Sequence, residues 1–450
     1  MKPVTSRQFD DEMKAMNIVN ISSATIRQIM ALATRLESIM GEPFVHLEMG
    51  NPGLPASKIG IDAERDALLK GIAGQYPNII GIPELKENGS RFLKAFLDIE
   101  IPPRCVVPTV GSMQATFTLF LLLGQRLPGK DTILFLDPGF PAQHNQVKLL
   151  GLNQQSLDMY DCRGEALEAR LEEILSSGRV TAILYNNPNN PAWTNLTDAE
   201  YEILARMAEK HDVIIIEDHA YMGMDFRTRY GIPYREPFVP TVAHYTDRCI
   251  LLVSASKIFS YAGQRIAMVC MSPSVADRVY PFLEHFYEMP AFGDAYVYGV
   301  LYCASSGTSH SAQHAFAAML GAAADGKLDF VAETGEYGRR AAIAKKLFMD
   351  NGFHLVYASD GDQPISDGFF FTVGYPGMTG EELQIWLLRY GISTISLLST
   401  GSRQEGVRIC VSLLSDDGAF TRLGERLAAF HNDNHAYRAS EICPPCSSRI

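Results

Sequence analysis

The sequence predicts an α/β protein with one large, mostly parallel sheet and a smaller α+β unit built from both ends of the chain. Three observations lead there. From Cys105 to about Met271 one theme repeats, a short β-branched apolar run followed by a Gly, Pro or Asn cluster and then a helical stretch. Most of these runs lack the in-out alternation of a half-solvated strand, as expected when both faces are buried. After about residue 325 the order changes, with a helix first and strands following, which marks a second unit.

Taken in order, the first 45 residues are too few for a domain of their own. Ile26–Met40 nevertheless carries Ile26, Ile29, Met30, Leu32, Ala33 and Leu36 at helical spacing. This helix is expected to join the C-terminal unit across the entrance to the cleft. The apolar runs span 105–110, 131–137, 180–186, 212–218, 248–254 and 265–272. Between them lie amphipathic helices such as 198–210, announced by a capping signal at Thr197 and Glu200. The C-terminal part reads as a helix over 337–350, strands over 353–358 and 368–375, a helix over 380–390 and two more strands. The expected division is an arm and helix over 1–49 that belong to the small domain, a large domain over 50–325, the small C-terminal domain over 326–435 and a flexible tail over 436–450. No repeat or flexible linker separates the two units, so a ligand cleft between them is expected.

Composition narrows the function. The chain has 450 residues, 47% of them hydrophobic, with a formal net charge of −12 and a pI near 5.4. Such an acidic surface does not suit a phosphate backbone, so nucleic acid is not an expected partner. The opening MKPVTSRQFDDEM is charged where a signal peptide is apolar, and the longest apolar runs, such as 117–123, are too short to span a bilayer. A cytoplasmic protein without a membrane anchor is expected. Cys105, Cys162, Cys249, Cys270, Cys303 and Cys410 are scattered singly, as reduced packing residues would be. Cys443 and Cys446 form a CxxC pair in the polar tail, with no second pair to complete a zinc site, so no metal is assigned.

In a parallel sheet ligands bind beyond the carboxyl ends of the strands, so the residues after each run are the informative ones. Gly111-Ser112-Met113 opens a helix whose first amides could bind phosphate, although a plain strand-to-helix turn reads the same way. Phe140 follows a Pro-Gly turn and could be an aromatic plate or a core residue. Residues 186–191 (NNPNNP) form an amide-rich turn able to donate hydrogen bonds to a ligand oxygen. Asp218 ends a buried run, where a carboxylate stays ionised only beside a cation or proton donor. Ser254, Ser256, Lys257 and Arg265 put hydroxyls, an amine and a guanidinium after the next run.

In this order the set resembles the fold-type I pyridoxal-phosphate enzymes of the class I/II aminotransferase family. The resemblance runs from about Leu47 to about Leu414 and includes three further landmarks: residues 47–55 (LEMGNPGLP), residues 75–85 (QYPNIIGIPEL) and Gly406-Val407-Arg408-Ile409. It implies a seven-stranded-type sheet in the cofactor domain and pyridoxal 5'-phosphate held by Lys257 as a Schiff base. It also implies an aminotransferase moving an amino group between an L-amino acid and a 2-oxo acid. Lys257, Asp218 and Tyr221 align with the catalytic positions, Asp218 with the carboxylate facing the pyridine nitrogen. Tyr221 and Asn190 align with the partners of the ring oxygen and Phe140 with the stacking aromatic. Gly111, Ser112, Met113, Ser254 and Arg265 align with the phosphate site. Tyr76 aligns with a tyrosine reaching the phosphate from a neighbouring subunit, which implies a homodimer. Arg408, with Gly50 and Asn190, aligns with the substrate carboxylate site. A lyase, a decarboxylase or an ACC-synthase-like cyclising enzyme would share all these positions. A non-catalytic regulator would need a further DNA-binding domain.

Two positions depart from the family pattern, Ala192-Trp193 after the amide turn and His219 after Asp218, and either could shape the substrate pocket. Residues 279–326 contain no Lys or Arg. The aromatic stretch Phe286 to Phe292, with Tyr296 and Tyr298, would suit an apolar or aromatic substrate side chain better than an aspartate side chain, and core packing explains it equally well.

Overall fold

The structure, a computed structural model, describes residues 2–442, with side-chain surroundings through Asn434. Cys443 and Cys446 lie outside the described residues. A seven-stranded sheet contains β1 (Val106–Thr109), β2 (Thr132–Asp137), β3 (Asn153–Asp158), β4 (Val180–Asn186), β5 (Ile214–Asp218), β6 (Cys249–Ser254) and β7 (Ala267–Met271). Their order across the sheet is β1-β7-β6-β5-β4-β2-β3. Strands β2 to β6 run parallel, while β7 is antiparallel to both its neighbours.

The continuous apolar runs are explained by packing on both faces. Ile133, Phe135, Leu184 and Ile216 enter one buried cluster, whereas Leu134, Leu136, Ile183 and Ile215 enter another. Adjacent residues of one strand therefore serve opposite cores, and few positions are left for a polar alternate. Pro108 is tolerated in β1 because that strand lies at the sheet edge and pairs only with β7. The opposite edge strand, β3, has the sequence NQQSLD and buries only Leu157 fully. Too little of it is apolar for the sequence pattern to reveal a strand. Helix Asp198–Lys210 begins at the expected capping box, with Thr197 Oγ1 accepting from Glu200 N at 3.3 Å and Thr197 N donating to Glu200 Oε2 at 2.9 Å.

The second unit has a four-stranded antiparallel sheet in the order Ile395–Ser396, Val407–Cys410, Phe370–Gly374, His354–Leu355. Helices Glu336–Asp350, Gly380–Arg389 and Asp417–Ile442 accompany it. The last helix runs to Ile442, into the segment expected as a flexible tail.

The N-terminal segment docks on this unit. Helix Ile26–Met40 buries Ile29, Leu32, Ala33 and Leu36 in a cluster with Leu388 and Ile395. Val4 N donates to Arg389 O at 2.8 Å, and Arg389 Nε returns a bond to Val4 O at 2.9 Å. Val45–His46 then pairs in parallel with Ile392–Ser393 and leads the chain to Gly50. Of the six cysteines read as packing residues, Cys105, Cys249, Cys270 and Cys410 are buried, Cys162 is half-buried and Cys303 is exposed on a short helix that faces outward. Among the described residues no helix is long and apolar enough to cross a membrane, and no cluster of metal-ligating side chains occurs.

Leu36 is fully buried in this junction. Leu36→Ala should lower the unfolding free energy by about 2–5 kcal/mol, read by urea denaturation. A loss below about 1 kcal/mol would mean that the N-terminal helix is not anchored as described.

Candidate active site

The parallel strands bring their carboxyl ends to one edge, and the loops leaving β1, β2, β4, β5 and β6 converge there on a cavity of about 1100 Å³. Ser112, Met113, Phe140, Asn190, Asp218, Tyr221, Ser254, Lys257 and Arg265 line it from the large unit. Gly50, Phe370 and Arg408 close it from the small unit, and residues 22–27 form its outer wall. Asp218 is the sole acidic residue of this lining, against Arg27, Lys148, Lys257, Arg265 and Arg408. In a chain of net charge −12 such an excess of cations marks a site for anions.

One end has the form of an oxyanion cradle. Helix Gly111–Gln125 points its N-terminus at the cavity, and Ser112 Oγ is buried without a partner. Gly111 has φ +69°, and a Cβ there would stand 2.6 Å from Arg265 Nη2. The guanidinium thus packs directly on the turn, which only glycine allows. Arg265 itself has φ 53° and is steadied by Nη1 donating to Ala262 O at 2.9 Å. Across the end of β6, Ser254 Oγ accepts from Ser256 N at 3.2 Å and starts the turn that carries Lys257.

Asp218 ends β5 in a buried position with one backbone donor, Ala220 N at 3.1 Å from Oδ1. Burial pushes its carboxyl up to about 6, with His219 and the amides of Ala220 and Gln143 offsetting part of that rise. A carboxylate in this state lacks a cationic partner, and a protonated ring nitrogen is such a partner. Lys257 shows the complementary effect. Burial, reinforced by Arg408 and Arg265, lowers its amine to about 8. Its Nζ donates to Gly50 O and lies 5.5 Å from the centroid of the Phe369 ring. Burial pushes the Tyr221 phenol well up, and nearby Arg408 offsets only part of that, so the hydroxyl keeps its proton and remains a donor.

Arg408 is almost fully buried on strand Val407–Cys410. Its Nη1 donates to Asn190 Oδ1 at 3.2 Å, its Nη2 to Glu48 O, and its Nε has no partner. The Phe370 ring backs it, with Cζ of the arginine 4.7 Å from the ring centroid. Because arginine has no acceptor, Asn190 must turn its oxygen to Arg408, which leaves its amide nitrogen free to donate into the cavity.

Several sequence expectations fall elsewhere. Tyr76 is 92% exposed and lines a separate surface hollow with Gln75 and Gly307, so one chain does not bring it to the cavity. The aromatic stretch read as a possible substrate pocket is also absent from the lining, since Phe286 and Tyr298 are exposed while Phe292 and Tyr296 are buried in the core. His219 points away from the cavity, its Nε2 3.1 Å from Glu217 Oε2, with both side chains fully buried. Trp193 lines no part of the cavity either. Conversely, Phe370, Gln143, His144 and the 22–27 segment do line it, without any motif in the sequence to identify them. The Phe-rich run at 369–371 was legible only as a strand.

The family described as "Aminotransferase class I and II" matches residues 42–417. The chain therefore belongs to the class I and II aminotransferases. It is 27% identical over 253 residues to a protein named "Probable aspartate aminotransferase" from Methanocaldococcus jannaschii, covering 56% of this chain and 62% of that one. It is 27% identical over 269 residues to the "Aspartate aminotransferase" of Thermotoga maritima, covering 59% and 68%. The chain thus aligns with under two thirds of the first relative's length. Among solved structures, the aspartate aminotransferase of Rhizobium meliloti superposes with a TM-score of 0.73 at 18% identity, covering 93% of this chain and 98% of that one, which shows the shared fold.

The raised pKa of Asp218 has a measurable consequence in the ligand-free protein. A carboxyl with a folded pKa of about 6 against an unfolded value near 3.8 costs no stability while protonated in both states. That cost grows as pH rises from about 4 to about 6 and is complete above. Asp218→Asn should therefore match the parent below about pH 4 and exceed it by up to roughly 3 kcal/mol at pH 7 to 8. A difference that does not change with pH in urea unfolding would contradict the unpaired carboxylate.

Proposed function

We propose that this chain is a pyridoxal-phosphate-dependent aminotransferase that moves an amino group between an L-amino acid and a 2-oxo acid. The observation that carries the reading is the convergence of Lys257, Asp218 and Arg408 on one cavity. The cofactor is the one its family uses, and it supplies an electron sink conjugated to the substrate α-carbon. The residues present fit it. Gly111, Ser112, Ser254 and Arg265 would hold the phosphate, Phe140 would face the ring, and Asp218 would keep the ring nitrogen protonated. Tyr221 and Asn190 would donate to the ring oxygen.

Lys257 would hold the cofactor covalently and, once freed by the substrate amine, would be placed to move a proton at the substrate α-carbon. Its lowered pKa leaves the amine available as a base near neutral pH. Arg408 grips the α-carboxylate through the side of its guanidinium that has no protein partner, with Asn190 and Gly50 fixing the same end. The relatives named for aspartate support an amino-acid substrate.

The working form is a homodimer, with Tyr76 given across the interface to the partner's phosphate site. Support comes from the exposed apolar surface around Tyr76, where Leu69 is 80% exposed and Leu68 46%. A cytoplasmic location accords with the unpaired cysteines among the described residues.

The purified protein should absorb near ~420 nm with bound cofactor, and borohydride should fix the cofactor to the peptide containing Lys257. Cofactor uptake by the stripped protein should quicken with pH through about 8, as the Lys257 amine loses its proton. Lys257→Ala should abolish the covalent product. Mixing the loaded protein with amino acid and then 2-oxoglutarate or pyruvate should return the amino group to the oxo acid, and release of ammonia or CO2 in its place would overturn transamination. Arg408→Lys should lower kcat/KM on the order of a hundredfold while leaving the visible spectrum intact.

A further inference from the structure

Trp193 is the largest fully buried side chain among the described residues, yet it lines no part of the cavity. Its φ of 63° lies in the left-handed region, which a bulky residue rarely adopts. The turn is closed on itself, with Trp193 N donating to Asn189 O at 2.9 Å and Asn189 N to Thr194 O at 2.9 Å. From this turn the indole reaches the other unit. A Cβ at residue 368 would overlap it, so the strand bearing Phe370 approaches only because residue 368 is glycine.

The indole meets Tyr221 edge-on at 5.5 Å and 70°, and Phe370 at 6.0 Å and 67°. Tyr221 and Phe370 also meet edge-on, at 5.4 Å. Phe370 in turn backs the Arg408 guanidinium. One ring therefore touches both the residue whose hydroxyl serves the cofactor oxygen and the plate behind the carboxylate-binding arginine. Its Nε1 has no hydrogen-bond partner, so shape alone holds it.

We infer that Trp193 is a positioning residue, a wedge between the two units that fixes the spacing of the Tyr221 hydroxyl, the Asn190 amide and the Arg408 guanidinium. The inference rests on the aminotransferase reading of the site. Donors at the cofactor's ring oxygen favour its charged form and lower the proton affinity of the neighbouring imine nitrogen. Loosening them raises the pH at which the visible band changes. Loosening Arg408 weakens the hold on the substrate carboxylate.

The test compares Trp193→Ala, Trp193→Phe and Gly368→Ala with Trp386→Ala, a control at the other tryptophan, each loaded with pyridoxal phosphate. Trp193→Ala should raise the pH midpoint of the visible absorbance by about half a unit or more, and KM for the amino acid by about tenfold, with a smaller change in kcat. Trp193→Phe should restore most of both. Gly368→Ala, which pushes the indole from the opposite side, should shift both in the same direction as Trp193→Ala, and Trp386→Ala neither. A Trp193→Ala protein with parental midpoint and KM would overturn the inference. Should that variant not fold, an unchanged midpoint and KM in Gly368→Ala would overturn it equally. A parent protein that takes up no pyridoxal phosphate would instead remove the aminotransferase reading.

Discussion

Apolar packing covers both faces of the seven-stranded sheet, and the strands between β2 and β6 all point the same way. A polar side chain on either face would have to be buried without water, so the sheet's reactive groups are confined to its carboxyl edge. Asp137, Asn186, Asp218 and Ser254 each end a strand there. Everything chemical in the molecule follows from this confinement. The loops leaving that edge need no long reach to meet, and the second unit has only to cap them.

The cap determines the electrostatics. Asp218 and Lys257 are both removed from water, and burial drives each toward its neutral form, the acid up to about 6 and the amine down to about 8. Burial lowers the Arg408 guanidinium too, but from so high a value that it keeps its charge. The cleft is therefore cationic, lined by Arg27, Lys148, Arg265 and Arg408 beside the two adjustable groups, Asp218 and Lys257. Anions and a protonated heteroaromatic ring beside Asp218 would together balance it. This is a more restrictive description than a list of polar residues, because each charge has one kind of partner.

Much of this was legible in the sequence, for a physical reason. Runs buried on both faces are unmistakable in composition, and in a parallel sheet the residue after each run must lie at the shared edge. The place of Asp218 and Lys257 at that edge could thus be read from position, whereas their roles came from the family resemblance. What escaped the sequence depends on contacts between distant segments. Strand β3 is an edge strand with a polar sequence, and its pairing with β2 supplies the stability its composition does not. Trp193 read as a possible pocket residue because nothing local announces that its space is provided by Gly368. His219 read the same way, although its partner, Glu217, faces the opposite core. Tyr76 stands outside the cavity of its own chain, where no single-chain pattern can assign it a contact.

The N-terminal wall of the cavity has a consequence in the order of synthesis. Residues 22–27 are synthesised long before Leu388, Arg389 and Ile395, on which they and the neighbouring N-terminal segment are held. The large sheet can form while the chain is still growing, whereas the opening segment must wait, with Ile29, Leu32 and Leu36 exposed to water, until the C-terminal unit is complete. The outer wall of the cavity therefore closes only after the C-terminal unit has been made, and until then the apolar face of the N-terminal helix has no partner.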